Sequence, residues 1–145
     1  MESSINWLKY KWIIFGAIAI RLIAVIFSQG YGMHDDHFLI IEASSSWVDG
    51  YDYNNWLPWS DGNKGPDGHS FSYVGLNYFY FLAMKFFGIS DPKLLMLINR
   101  LIHAAFSMIV VVYGIKITRK YSSEQNAMRV GWLLALTWII PILSV

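Results

Sequence analysis

Residues 12–27 read Trp12-Ile13-Ile14-Phe15-Gly16-Ala17-Ile18-Ala19-Ile20-Arg21-Leu22-Ile23-Ala24-Val25-Ile26-Phe27, apolar throughout except for Arg21. A helix over this run and its flanks suits a hydrocarbon layer of roughly 30 Å. Trp7, Tyr10 and Trp12 stand where an interfacial aromatic belt would. The run therefore reads as a first transmembrane helix. Arg21 interrupts it and no small-x-small pattern follows Phe27, which argues against a cleaved signal peptide. Lys9 and Lys11 before the helix predict a cytoplasmic N-terminus, with the chain after Phe27 outside. Arg21 lies about six residues from Phe27, roughly 9 Å of helix, so its side chain is expected to snorkel outward; a role near an anionic ligand is the alternative.

The rest of the composition agrees with this reading. Of 145 residues, 55% are hydrophobic and only 14% charged, more apolar surface than a soluble domain of this size can hide. A net charge of +1 argues for neither nucleic acid nor an acidic partner. The absence of cysteine removes disulfides and thiolate metal sites. Apolar runs recur at 73–87, 94–117 and 127–145, separated by the turn-like Gly88-Ile89-Ser90-Asp91-Pro92 and by the polar stretch from Thr118 to Asn126. The fold expected is an all-α integral membrane domain of about four transmembrane helices. The last runs into the terminus without a polar flank, so the chain is expected to be the N-terminal part of a longer multi-pass protein of a bacterial inner membrane or its equivalent. Strict counting of crossings puts Lys116, Arg119 and Lys120 outside, against the positive-inside tendency. Either 73–87 dips in and out, or the first helix dominates; a full crossing is favoured.

Between the first two runs lies a polar loop, 28–72, rich in Gly, Asp, Asn and His. Trp47, Trp56 and Trp59 argue that it is folded on the membrane surface. Trp56 and Trp59 are expected to anchor it at the interface, with stacking on a sugar ring as the alternative. Inside it, Leu39, Ala43 and Trp47 recur every fourth residue, a narrow apolar stripe for an interfacial helix between an Asp36 cap and a Gly50 stop.

The loop opens with Gly32-Met33-His34-Asp35-Asp36-His37-Phe38, and Glu42 follows. On an α-helix Asp35 and Glu42 fall about 20° apart and two turns along, on the face away from the stripe. Three readings are open. The acids cap an amphipathic helix; or His34, Asp35, Asp36 and His37 hold a metal, although adjacent residues rarely converge on one ion; or a carboxylate acts as general base at the membrane surface. No cofactor is expected, and a divalent metal is compatible only in ligand type.

An acidic signature after the first membrane helix, followed by an aromatic and a Glu, resembles the GT-C superfamily of polytopic glycosyltransferases. Members of that superfamily carry an HPDE-like or DE-like motif in the first outer loop. Here Met33-His34-Asp35-Asp36 stands at the motif, His37-Phe38 follows and Glu42 stands at the later acid. Gly50-Tyr51-Asp52 resembles the stretch that ends their interfacial helix. His69-Ser70-Phe71-Ser72-Tyr73 stands where their second membrane helix opens. Phe86-Phe87-Gly88 with Asn99-Arg100-Leu101-Ile102-His103-Ala104 resembles their FG and RLxxA hairpin.

The resemblance implies transfer of a sugar from a polyprenyl-phosphate donor to an acceptor on the outer face, mannosyltransferase-like in class. It makes Asp35 the general base and Asp36 an orienting acid. Glu42, His69, Arg100 and His103 become substrate-binding residues, with Lys64 a further candidate for the lipid phosphate. The competing hypothesis is a non-catalytic membrane protein or an inactive remnant of such an enzyme; a transporter segment is a third. Should these 145 residues be all that is made, no transferase activity is expected, since related enzymes complete the donor cavity with later helices.

Overall fold

The structure, a computed structural model, describes residues 5–27, 37–60, 62 and 71–137. A 3-10 turn, Trp7–Tyr10, leads into α1 (Lys11–Phe27), and a π-wound turn, His37–Glu42, runs into α2 (Ala43–Val48). Then come α3 (Phe71–Phe86), α4 (Pro92–Tyr121) and α5 (Glu124–Leu136), and no strand occurs among the described residues. The chain forms two compact units, one of Met1–Gln29 with Met96–Val145 and the other of Gly30–Leu95.

Among the described residues, two helices are long and apolar enough to cross a membrane: Trp7–Phe27, 21 residues, and Pro92–Tyr121, 30 residues. Four were expected. The helix α3 has 16 residues and the described part of α5 has 13. At 1.5 Å per residue these reach about 24 and 20 Å, short of a hydrocarbon layer of roughly 30 Å. The polar stretch at 118–126 also breaks the chain less than its composition suggests. Helix α4 continues to Tyr121 and α5 starts at Glu124, with Ser122 and Ser123 between them; Ser123 is extended and its side chain accepts the N–H of Asn126 at 3.2 Å as an N-cap.

In the first unit, α1 runs antiparallel to α4 and parallel to α5. Lys116 Nζ lies over the Trp7 ring, Arg21 meets Ser107 and Arg100 meets the Val25 carbonyl, so positions on α4 fall as those on α1 rise. On α5 they rise together: Lys9 pairs with Glu124 at 2.9 Å, and a Cβ on Gly16 would lie 3.1 Å from the Trp132 ring. Ala127, Gly131 and Ala135 recur every fourth residue and are all buried. This small-residue stripe lets α5 approach α1 and α4 closely, as membrane helices do when van der Waals contact supplies the attraction. Outward, Phe15, Ile23 and Ile26 on α1 and Phe106, Ile109 and Ile117 on α4 are exposed, whereas Arg21 is buried. Polar inside and apolar outside is the arrangement a hydrocarbon surround favours.

Tyr10 departs from its expected place in an aromatic belt. It is 0% exposed and sits in the core with Ile13, Ala17, Val111, Ile115, Ala127 and Ala135, because it lies one turn before Ile13 on the inward face. Trp7 and Trp12 remain exposed.

In the second unit the described part of the loop, 37–60, packs around a small apolar core. Ala43, Trp56 and Val74 form its core, with Leu39, Ile40 and Trp47 packed against it, so the stripe read from the sequence is the buried one. Trp56, expected at an interface, is 6% exposed and fills this core, while Trp59 is 78% exposed. Helix α2 stops as expected at Gly50, whose φ of +88° suits a residue without a Cβ. Helix α3 ends in a Schellman motif: the N–H of Ile89 donates to Met84 O at 2.9 Å, that of Gly88 donates to Lys85 O at 3.0 Å, and Gly88 takes φ +73°. Asp91 then caps α4, its Oδ2 accepting from the N–H of Leu94 at 3.0 Å, with Pro92 in the first helical position.

Two substitutions test the bundle. A side chain at Gly131 would meet Ile115 at 3.0 Å and Ile13 at 3.2 Å, neighbours on two different helices. Gly131→Val is expected to lower unfolding stability in micelles by about 1–3 kcal/mol. The Tyr10 hydroxyl is buried without a hydrogen-bond partner, so Tyr10→Phe is expected to be neutral or stabilising. Thermal unfolding followed by circular dichroism measures both, and destabilisation by Tyr10→Phe would contradict the buried placement.

Candidate functional site

Of the residues singled out in the sequence, Asp35, Asp36, His69 and Lys64 lie outside the described residues, as do His34 and the side chain of His37. Glu42 ends the π-wound turn of the second unit and is half-buried. The π winding changes the angle per residue on which the expected alignment of Asp35 with Glu42 rested. Arg100 and His103 belong to the first unit, on one stripe of α4 with Ser107 at i, i+3 and i+7. Among the described residues no group of three or more His, Asp or Glu could hold a metal ion.

That stripe faces α1 and makes a cationic seam. Arg21 is 2% exposed. Its Nε donates to Ser107 Oγ at 2.6 Å and its Nη1 to the carbonyl of Ala17 at 3.2 Å. Its Nη2 is buried with no hydrogen-bond partner. The expected outward snorkelling does not occur. Side chains on an α-helix tilt toward its N-terminus, so from position 21 the guanidinium reaches back over the preceding turn, away from Phe27. Arg100 does related work a little further along. Its Nε donates to Met96 O at 3.1 Å, and its Nη1 donates to Val25 O at 3.2 Å. Val25 is in the last turn of α1, where carbonyls lack helical partners and the helix dipole is negative; a cation there satisfies both. His103 is half-buried on the same stripe.

The described part of this unit carries little negative charge. Its one carboxylate there is Glu124, held by Lys9 at the opposite end of α1. The hydrogen bond from Lys9, and then the charges of Lys9 and Arg119, keep the Glu124 carboxyl below the usual glutamate range against a smaller opposing effect of desolvation. Lys9 lies about 18 Å along the helix from Arg21.

The second unit contains a polar knot that sequence analysis did not single out as such. Asp52 accepts from Trp47 Nε1 at 2.9 Å, from the N–H of Leu57 at 2.7 Å and from Ser60 Oγ at 2.5 Å. Partial desolvation raises its pKa, but the hydrogen bonds from Ser60, Leu57, Trp47 and Trp56 outweigh it and hold the carboxyl below the usual aspartate range. Beside it, Ser46 Oγ donates to Ala43 O at 2.7 Å and accepts from the N–H of Tyr53 at 3.2 Å. Lys85 of α3 reaches the end of α2, donating to Val48 O at 3.0 Å and pairing with Asp49 at 3.0 Å. The Asp52 oxygens are occupied by these donors, which suits a structural clamp. Its sequence signal was local and weak: an acid closing a turn onto Asn55, which takes φ +54°.

No family model, curated protein or solved structure matches this chain.

A carboxyl depressed in the folded state contributes stability in full above its unfolded pKa, near 3.9, and that contribution is lost as pH falls through the folded value. The clamp is therefore expected to persist through neutral and mildly acidic pH and to release below about pH 4. Protection of the Trp47 indole N–H from hydrogen exchange reports it. Asp52→Asn is expected to remove this acid transition and to cost about 1–3 kcal/mol at neutral pH; retained indole protection in the variant would contradict the clamp.

Proposed function

We propose that this chain is part of a membrane-embedded glycosyltransferase that moves a sugar from a polyprenyl-phosphate donor to an acceptor hydroxyl or amine. The observation that carries this reading is Arg21, 2% exposed in an apolar helix with its Nη2 buried and without a hydrogen-bond partner. An ionised guanidinium in a low-dielectric surround is costly without an opposite charge. A phosphate joined to a lipid tail supplies that charge and reaches such a seam through the hydrocarbon layer. Arginine suits the role because its planar fork bonds phosphate oxygens in pairs.

In this reading the roles follow the resemblance. Asp35 takes the proton of the acceptor O–H or N–H as the acceptor atom bonds to the anomeric carbon. The bond from that carbon to the phosphate oxygen breaks, and the electron pair leaves with the lipid phosphate. The carboxylate charge also favours the developing oxocarbenium ion. Asp36 orients the base, Glu42 binds substrate, and His69 is a further candidate for the lipid phosphate. Arg100 and His103 offset the charge that grows on the departing phosphate.

The test uses the complete gene product in membranes with a polyprenyl-phosphate sugar. Asp35→Asn is expected to lower turnover by about 10²–10⁴-fold, and Arg100→Gln to raise the donor KM by roughly ten-fold or more. Unchanged turnover in the first variant removes the base assignment and favours a non-catalytic membrane protein.

A further inference from the structure

The antiparallel pairing of α1 with α4 gathers five basic residues at one end of the first unit, away from Arg21 and Arg100. Lys9 and Lys11 open α1, and Lys116, Arg119 and Lys120 close α4. Arg129 lies on the second turn of α5, near the same end. Glu124 is the single described acid among them. Aromatic rings accompany the cations. Lys116 Nζ stands 6.0 Å from the Trp7 ring and 5.0 Å from that of Tyr113, Lys11 Nζ is 5.5 Å from Trp12, and Lys120 Nζ is 5.7 Å from Tyr121.

Two shallow grooves start from this end. One is lined by Trp7, Lys11, Ile14, Phe15 and Val112, the other by Arg129, Trp132, Leu133, Leu136 and Thr137. Each has a single cation at its rim and an otherwise apolar or weakly polar wall running along the helices. A hydrocarbon chain fits such a wall, and a negative headgroup fits the rim. A free phosphate would leave the apolar walls unused, and a neutral lipid would leave the cations unused.

We propose that this end of the bundle is a seat for anionic glycerophospholipid, with the headgroup phosphate on Lys11, Lys116 or Arg129 and the acyl chains along the two grooves. Anionic lipid and the excess of Lys and Arg both belong to the cytoplasmic side of a membrane, so the seat orients the bundle with Trp7 and Tyr121 toward the cytoplasm. Because α1 and α4 run antiparallel, the basic patch of α4 then lies on the same, cytoplasmic side as Lys9 and Lys11. The proposal is independent of any transferase activity.

Spin-labelled phosphatidylglycerol and phosphatidylcholine of equal chain length, added to the full chain in bilayers, test the seat through the motionally restricted fraction in their resonance spectra. Phosphatidylglycerol is expected to be preferred, by about five-fold for each cation engaged. The preference should fall in high salt and in the triple variant Lys11→Gln, Lys116→Gln, Arg129→Gln, provided its helical circular dichroism is unchanged. Equal restriction of both lipids, or an unchanged preference in the folded variant, overturns the proposal. Because the chain has no cysteine, single replacements Ser90→Cys and Ser122→Cys read the orientation with a membrane-impermeant maleimide on intact cells. Labelling at 90 and protection at 122 is the expected result, and the reverse pattern overturns the orientation.

Discussion

The first unit is organised by a charge that has to be buried. Arg21 lies in an apolar helix, and the tilt of helical side chains toward the N-terminus carries its guanidinium back along α1, where it is 2% exposed. A guanidinium in hydrocarbon requires partners, and Ser107 at 2.6 Å and Ala17 O at 3.2 Å provide two of them. The Ser107 bond sets the register of α4 against α1. Once that register is set, Arg100 falls opposite the last turn of α1 and takes up the Val25 carbonyl, and Lys116 falls beside Trp7 at the far end. Polar contacts fix where α4 lies along α1. Small residues on α5 allow the third helix to close over the pair.

In the second unit the same need to satisfy polar groups is met by other means. A loop rich in Gly and Asn has many backbone N–H and C=O groups without helical partners. Asp52 collects several donors on one carboxylate, and Ser46 bridges α2 to the N–H of Tyr53. Lys85 answers the carbonyl end of α2. With these groups engaged, Trp56 can be buried against Ala43 and Val74, and Trp47 stacks on Phe71 at 6.0 Å and tilts against Tyr78 at 6.4 Å.

Much of this was legible in local patterns. The apolar runs located α1, α3 and α4 to within a few residues, and the Leu39, Ala43, Trp47 stripe identified the buried face of the loop helix. Gly88 and Pro92 marked the turn between α3 and α4, because left-handed backbone and the lack of an N–H are properties of those residues themselves. The misreadings share a cause. Tyr10, Trp56 and Arg21 were assigned by residue type, as belt, anchor and snorkel. Their roles depend on what stands opposite them, and for Arg21 also on the direction in which a helix aims its side chains. The candidate site was less legible than the fold. Arg100 and His103 were singled out and do share a seam, whereas Arg21, its most buried member, was given mainly to the surface.

By itself the sequence determined that the chain is helical and that the runs 12–27 and 94–117 are apolar enough to enter a membrane, since both follow from composition and spacing along a few turns; it also counted 73–87 and 127–145 as crossings. It also marked the stop of α2 at Gly50 and the turn between α3 and α4, because caps and glycines act within a few residues. Only the tertiary structure decided that α1 and α4 run antiparallel in a register set by Arg21 and Ser107, which brings the two groups of lysines to one end. That pairing joins residues more than eighty positions apart, and no local pattern carries the direction in which a distant helix returns.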